Sequence, residues 1–170
     1  MKIILVLTLL FITEPDLEHY IGKQVSEVEN VAYVDETALG RLYQLEVAHG
    51  RFNGKPFHCI TLETYNDGII ARVGITFEEK VDKSLFDLLV EKYGEPSRML
   101  KMGTIIQEEA IEGNGYIAKS SKGLAQGCEF EDGPSYIGWR LPNHFVEVQI
   151  SPDSDRTFVY MGKSSLIPLN

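Results

Sequence analysis

The chain has 170 residues, of which 44% are hydrophobic, 24% charged and 10% aromatic, a composition that fits one globular domain and excludes a largely disordered chain. Acidic residues outnumber basic ones 25 to 16, which gives a net charge of −9. No run of Lys and Arg is present to neutralise phosphates, so the sequence excludes nucleic acid as a partner.

The first 13 residues admit two interpretations. Lys2 precedes an apolar run over 3–12 that is broken only by Thr8. A basic start followed by about 7–15 apolar residues is typical of a secretory signal peptide, although no small-x-small cleavage site follows. The run is too short for a membrane span, which needs about 20 residues. We therefore predict export to the periplasm or the exterior with no stable membrane insertion after processing. The alternative is an N-terminal strand of a cytoplasmic protein.

The first half of the remaining chain is predicted to be helical material followed by three strands. Apolar residues recur at helical spacing from Leu17 to Ile21, and a second helical turn is expected at 26–29, so that helical material covers 16–31. Apolar and polar residues then alternate, as in half-buried strands, over 43–47, 57–65 and 69–77. These strands predict an antiparallel meander.

The second half begins with the clearest helix. Asp82 is a suitable N-cap, Leu85, Leu88 and Leu89 form one apolar stripe, and Gly94 ends the segment.

The glycine-rich stretch that follows is predicted to hold two short strands, at 104–108 and 116–119, and then a loop over 120–134. Three more strands, at 136–141, 144–150 and 157–161, predict a second meander.

These elements predict an α+β fold, with antiparallel sheet or sheets and helices packed on one face. One domain is expected over 14–170. Because helix-then-three-strands occurs twice, half-repeats at 14–80 and 81–165 are a hypothesis. The central strands of the two meanders also align, since 58–63 and 144–149 each begin with His and then alternate.

Two short segments carry a resemblance to known families. Residues 21–28 read Ile-Gly-Lys-Gln-Val-Ser-Glu-Val, and 92–96 read Lys-Tyr-Gly-Glu-Pro. They resemble the helix-opening and helix-ending segments of beta-lactamase inhibitory proteins and of small outer-membrane assembly lipoproteins. The resemblance implies an exported, non-enzymatic binding module. The lipoprotein cysteine and the two-disulfide pattern of those families are missing, so neither membrane anchoring nor inhibition is carried over.

Motifs for chemistry are absent from the linear sequence. It holds no phosphate-binding glycine loop, dinucleotide fingerprint or nucleophile elbow, so no catalytic residue and no cofactor is predicted. The histidines stand far apart, at 19, 49, 58 and 144, and no metal site is predicted. Cys59 and Cys128 could form a disulfide in an exported protein or remain free thiols.

A protein-contact surface is the remaining candidate. By strand alternation Trp139 points into the core with Ile137 and Leu141, while Tyr136 and Arg140 face outwards, beside an acidic loop. The predicted contact set is Glu129, Glu131, Asp132, Tyr136 and Arg140. We therefore predict an exported, non-enzymatic module of the inhibitor, immunity or envelope-associated type that binds another protein. The alternative is a small hydrolase or ligand carrier whose site forms only in the fold.

Overall fold

The computed structural model describes residues 16–46, 50–52, 54–113, 116–151 and 154–165, with the backbone alone over 104–123. The strands are β1 (Val31–Glu36), β2 (Gly40–Leu45), β3 (Arg51–Phe52), β4 (Lys55–Pro56), β5 (Cys59–Tyr65), β6 (Ile70–Phe77), β7 (Arg98–Gly113), β8 (Tyr116–Gly127), β9 (Tyr136–Arg140), β10 (Phe145–Ile150) and β11 (Thr157–Gly162). The α-helix α1 covers Lys83–Tyr93, and 3-10 turns lie at Leu17–Tyr20, Val25–Glu27 and Phe130–Asp132.

Nine of these strands form a single antiparallel sheet in the order β1-β2-β5-β6-β11-β10-β9-β7-β8, and β3 pairs with β4 apart from it. Cross-strand partners share one side of a sheet, so the register assigns each residue to a face. One row runs through Ile60, Ile75, Val159, Val148 and Ile137. This row and the helix α1 belong to the same buried cluster, and we call this side the core face. The opposite side is the open face.

The helix α1 forms where it was predicted. Asp82 accepts a hydrogen bond from the Leu85 backbone N–H over 2.9 Å, which satisfies one of the amides that a helix start leaves unpaired. Leu85 and Leu89 are buried against the core face, and Gly94 ends the helix with a φ of 80°. Trp139 is buried in the core, as predicted, and its Nε1 donates to the Gly94 carbonyl at the helix end over 2.7 Å.

The predicted fold class is wrong. Within the described residues the chain is largely antiparallel β-sheet, and α1 is its one α-helix, so the protein is not an α+β fold with helices packed on a sheet. Predicted helical material at 16–31 consists instead of two 3-10 turns and the start of β1. Its backbone groups are used elsewhere: Gly22 donates to Ile70, Ile70 donates to Lys23, and Gln24 bridges to Ile69. A helix could not make these bonds to β6.

The predicted loop over 120–134 is also largely wrong, because β8 extends to Gly127. The strands β7 and β8 form one long hairpin, and only Arg98–Leu100 of β7 pair with β9. Beyond that point the described strands pair only with each other, and we call residues 101–113 and 116–126 the arm. Side chains at 124–127 are exposed on both faces, so the sequence carries no alternation that would have revealed the strand.

The two predicted meanders are present but belong to one sheet. The strands β2, β5 and β6 correspond to the first and β9, β10 and β11 to the second, and the pairing of β6 with β11 joins them. Counting outwards from that pair, β5 and β10 occupy equivalent places. The duplication itself stays a prediction, and the N-terminal segment 1–13 lies outside the described residues.

Leu89 and Leu88 offer a matched test of the core, since they are adjacent on α1 and are 0% and 38% exposed. Leu89→Ala leaves a cavity between the helix and the sheet and should lower the free energy of unfolding by about 2–5 kcal/mol. Leu88→Ala should cost less than about 1 kcal/mol. Urea unfolding followed by circular dichroism measures both; equal losses would contradict this helix orientation.

Candidate functional site

The five predicted contact residues do not form one surface. Glu129, Glu131 and Asp132 lie together at the 3-10 turn that follows the long hairpin. Arg140 is exposed at the other end of β9, where its guanidinium lies 5.9 Å from the Phe145 ring. The structure therefore brings the three acids together and separates them from Arg140.

The expectation that Tyr136 faces solvent is wrong. Its side chain is 3% exposed, and its hydroxyl donates to Glu147 Oε1 over 2.7 Å. The Glu147 carboxylate is 2% exposed and also accepts from the Ser165 hydroxyl, so Ser165 packs against this part of the open face. Burial, together with the hydrogen bond to this carboxylate, raises the pKa of Tyr136 and keeps its hydroxyl protonated. Tyr136 is part of a buried polar network, not of a contact surface.

A groove opens between the acidic turn, the start of α1 and the base of the arm; we call it the hairpin groove. It has a volume of about 690 Å³, within the range of about 300–1,000 Å³ that ligand sites occupy. Met102, at the base of the arm, is 47% exposed. The apolar side chains that line the groove are Val81, Met102, Phe130, Pro134 and Ile150.

Charged side chains surround this apolar lining. They are Lys80, Lys83, Lys101, Glu131 and Asp132. Lysines therefore outnumber acids three to two here, in a chain where acids outnumber bases 25 to 16. All three lysines have acidic partners: Asp132 lies 3.6 Å from Lys101, Asp155 lies 3.6 Å from Lys80, and Asp87 pairs with Lys83 one turn along α1. These contacts are solvent-exposed and therefore weak.

The acidic turn is held in place by its own side chains. The Glu129 backbone N–H donates to Asp132 Oδ2 over 3.0 Å, and the Glu129 side chain accepts from the Asp132 backbone, which is a reciprocal capping box. Gly133 follows with a left-handed φ of 73° that suits glycine. The backbone hydrogen bond from Glu129, and then the nearby Lys101, hold the pKa of Asp132 below its ordinary value. Two of the three predicted acids thus stabilise the turn.

An aromatic pair fixes the turn to the helix. The rings of Phe86 in α1 and Phe130 in the turn stack at a centroid distance of 4.4 Å. The ammonium group of Lys83 lies 5.2 Å and 5.9 Å from these two rings, which adds a cation–π attraction at the groove rim. The acidic turn, which forms one wall of the groove, is therefore packed against α1.

Most groove residues escape sequence analysis. Lys80 and Val81 precede α1, Met102 begins the arm, and Ile150 ends β10. They come from separate segments that only the fold brings together. The one signal available was the contiguous acidic turn, in which Glu131 and Asp132 were predicted as contact residues and Phe130 is the one apolar residue.

Chemistry based on thiols is not supported. Cys59 and Cys128 are both free, so the disulfide considered from the sequence is not formed. Cys59 lies in β5, and Cys128 bonds to Met99 of β7 through its backbone. Four strands separate β5 from β7, which at about 4.8 Å per strand places the thiols more than about 20 Å apart. Burial, and then Asp132, raise the pKa of the Cys128 thiol, which disfavours the nucleophilic thiolate.

The described part of the chain offers neither a metal site nor a membrane-spanning helix. No three His, Cys, Asp or Glu side chains in it lie close enough to hold a metal ion, and His49 falls outside it. None of the helices described there is long and apolar enough to span a membrane.

A cluster of titratable groups lies at the opposite end of the sheet. The Glu18 carboxylate accepts from the Tyr93 hydroxyl over 2.7 Å and lies 2.8 Å from Lys92 Nζ. His144 Nε2 is 3.1 Å from Glu18 but outside hydrogen-bond geometry, so that contact is electrostatic only. The cluster ties the N-terminal turn to the end of α1 and to the β9–β10 connection.

Comparisons of the chain with protein-family models, curated proteins and solved structures found no match. The resemblance to the beta-lactamase inhibitory proteins and the assembly lipoproteins therefore stays a prediction. Function has to be inferred from the geometry of this chain alone.

Glu18 makes stability depend on pH. Burial raises its pKa, but the hydrogen bonds from Lys92 and Tyr93 outweigh burial and hold the pKa below its ordinary value of 4.5. A carboxyl whose pKa is lowered by folding stabilises the fold above its ordinary pKa, and loses this effect as pH falls through the lowered value. Glu18→Gln should therefore cost about 1 kcal/mol near neutral pH and progressively less below pH 4.5.

Urea unfolding at a series of pH values measures this cost. Glu91→Gln, at an exposed position of α1, removes the same charge and serves as the control. A cost for Glu18→Gln that does not change with pH would contradict the ionic role of the cluster.

Proposed function

We propose that the protein is an exported, non-enzymatic protein-binding module whose hairpin groove receives a segment of its partner. The observation that most supports this is the apolar lining of a groove of about 690 Å³, with Met102 47% exposed at its edge. Contiguous exposed apolar surface rimmed by polar residues marks interaction sites, because leaving it in water is unfavourable.

The shape of the groove defines the partner segment. An apolar side chain would contact Val81, Phe130 and Ile150, and such buried anchors supply most of the affinity of protein interfaces. Acidic side chains beside the anchor would contact the lysines at the rim, whose own acidic contacts are exposed and weak. The partner segment is therefore an apolar residue flanked by Asp or Glu. The rest of the partner's surface is not strongly acidic, because this chain carries a net charge of −9 and would repel it.

The arm supports a binding role on separate grounds. An isolated two-stranded hairpin is marginally stable in water, and the described residues 101–113 pair only with β8. The arm also leaves strand edges whose N–H and C=O groups can pair with another chain. A partner bound in the groove would contact the base of the arm at Lys101 and Met102, and would reduce the solvent exposure of the arm there.

The titratable groups of the groove suit binding rather than catalysis. General bases are effective when their pKa lies near the operating pH, whereas the pKa of Asp132 is lowered and its carboxylate is engaged by the turn. Cys128 does not line the groove but lies close to Asp132, and its thiol has a raised pKa and stays protonated. Neither group has the properties of a catalytic base or nucleophile.

Photo-crosslinking in the native host tests the groove. Benzoylphenylalanine at position 102 should crosslink to one discrete protein, and at position 33 should not, because Tyr33 is 56% exposed on the distant edge strand β1. With that protein purified, Met102→Asp should weaken binding by at least about tenfold, while the matched Tyr33→Asp changes it by less than about twofold. Equal crosslinking from both positions, or unchanged binding by Met102→Asp, would contradict the proposal.

Export is tested separately. Intact-mass measurement of the protein from the native host should find it outside the cytoplasm, with an N-terminus beyond residue 13, because the apolar run would be removed with a signal peptide. A cytoplasmic protein that retains Met1 would instead favour the N-terminal strand, and would leave the groove proposal unaffected.

A further inference from the structure

A second cavity lies on the open face, on the side of the sheet away from α1. It has a volume of about 370 Å³ and is lined by residues of β2, β5, β6, β11 and β10. This volume is near the lower end of the range that small-ligand sites occupy, about 300–1,000 Å³. It shares no lining residue with the hairpin groove.

The charges within this cavity neutralise each other. Arg72 Nη1 donates to Glu63 Oε2 over 2.6 Å, and each side chain is only 14% exposed. Because these two charges compensate each other, an ionic ligand would find no uncompensated charge of opposite sign among the lining residues. The cavity therefore favours a ligand without net charge.

The remaining polar groups both donate and accept hydrogen bonds. Thr61 and Thr76 contribute hydroxyls, and Gln149 contributes a carboxamide. Register places Thr76 beside Phe158, and Phe158 beside Gln149, so these groups surround an aromatic ring. A ligand that matches them carries several hydroxyl or amide groups of its own.

Two aromatic rings form the apolar part of the cavity. Phe158 and Tyr160 point to the same side of β11, with ring planes 10° apart and centroids 6.3 Å apart. The Tyr160 ring approaches the backbone of Gly74, where a Cβ would lie 3.1 Å from the ring and 2.6 Å from Thr61 Oγ1. Glycine at position 74 thus lets the tyrosine ring lie close to the sheet. The Arg72 guanidinium lies over the Tyr160 ring, 5.9 Å from its centroid, so the C–H groups of a flat ligand would contact the Phe158 ring.

We propose that this open-face cavity binds a neutral saccharide. A pyranose ring combines the required properties, since its hydroxyls match the Thr, Gln, Glu and Arg groups and its C–H face matches the Phe158 ring. The Glu63–Arg72 pair offers an ionic ligand no net charge, while a guanidinium has five N–H donors and a carboxylate about four acceptor sites, more than the pair itself uses. The site is distinct from the proposed protein-binding groove, and either can be present without the other.

Calorimetric titration of the full chain tests the cavity with four named probes: cellotetraose, maltotetraose, xylotetraose and chitotetraose. At least one should bind with a dissociation constant of about 1 mM or tighter. Phe158→Ala should weaken that binding by at least about tenfold. The matched control is Phe145→Ala, since Phe145 is half-buried on the same face but does not line the cavity. It should change binding by less than about twofold.

Gln149→Ala provides a second variant, because it removes a cavity amide without removing a ring from the sheet. It should weaken the binding of the same saccharide, while thermal unfolding confirms that the variant is folded. Three results would overturn the proposal: binding of none of the four probes, equal losses with Phe158→Ala and Phe145→Ala, or a benzoylphenylalanine at 158 that crosslinks a protein in the native host while no probe binds.

Discussion

The strands β6 and β11 pair antiparallel over six residue pairs, from Arg72–Gly162 to Phe77–Thr157, and this pairing joins four strands on one side to five on the other. It aligns Val73 with Met161 and Ile75 with Val159, all buried to within 1% exposure. Because side chains alternate along each strand, this register decides the fate of both faces. A slip of one residue would move the buried rows to the open face and remove the surface on which α1 packs.

Elements whose sequence pattern reflects burial on one face could be predicted, and those formed by pairing alone could not. The strands around 59–65, 70–77 and 145–150 alternate clearly because one face meets the core. β8 has exposed residues on both faces near Gly127, so its strand conformation depends on the ladder with β7. Likewise, 16–31 has apolar residues at helical spacing, but its backbone bonds to β6 prevail over that weak preference. The predicted fold class is wrong in part because this segment was expected to be helical and instead forms 3-10 turns and the start of β1.

The candidate site was predictable only in part, for the same reason. The acidic turn at Glu129–Asp132 could be singled out because its residues are contiguous, and it forms one wall of the hairpin groove. Met102 and Ile150 reach that groove from segments nearly fifty residues apart in the printed sequence. Tyr136 was misplaced because alternation assumes that one face of a strand meets water, whereas in β9 both faces are buried from Tyr136 to Trp139. Glu147 and Ser165 provide the cover that a single strand cannot reveal.

The two strand groups have equivalent places around the central pair, except at the arm. The first group ends at β1, a six-residue strand whose Asp35 and Glu36 discourage pairing with another chain. The second group ends at β7 and β8, which run past β9 and have no further strand to cover them among the described residues. A sheet that needed only to fold would gain little from this extension, because a two-stranded ribbon adds exposed backbone with little buried surface. The hairpin groove lies at the base of this extension, which is the physical reason to expect that the arm is used for contact with a partner.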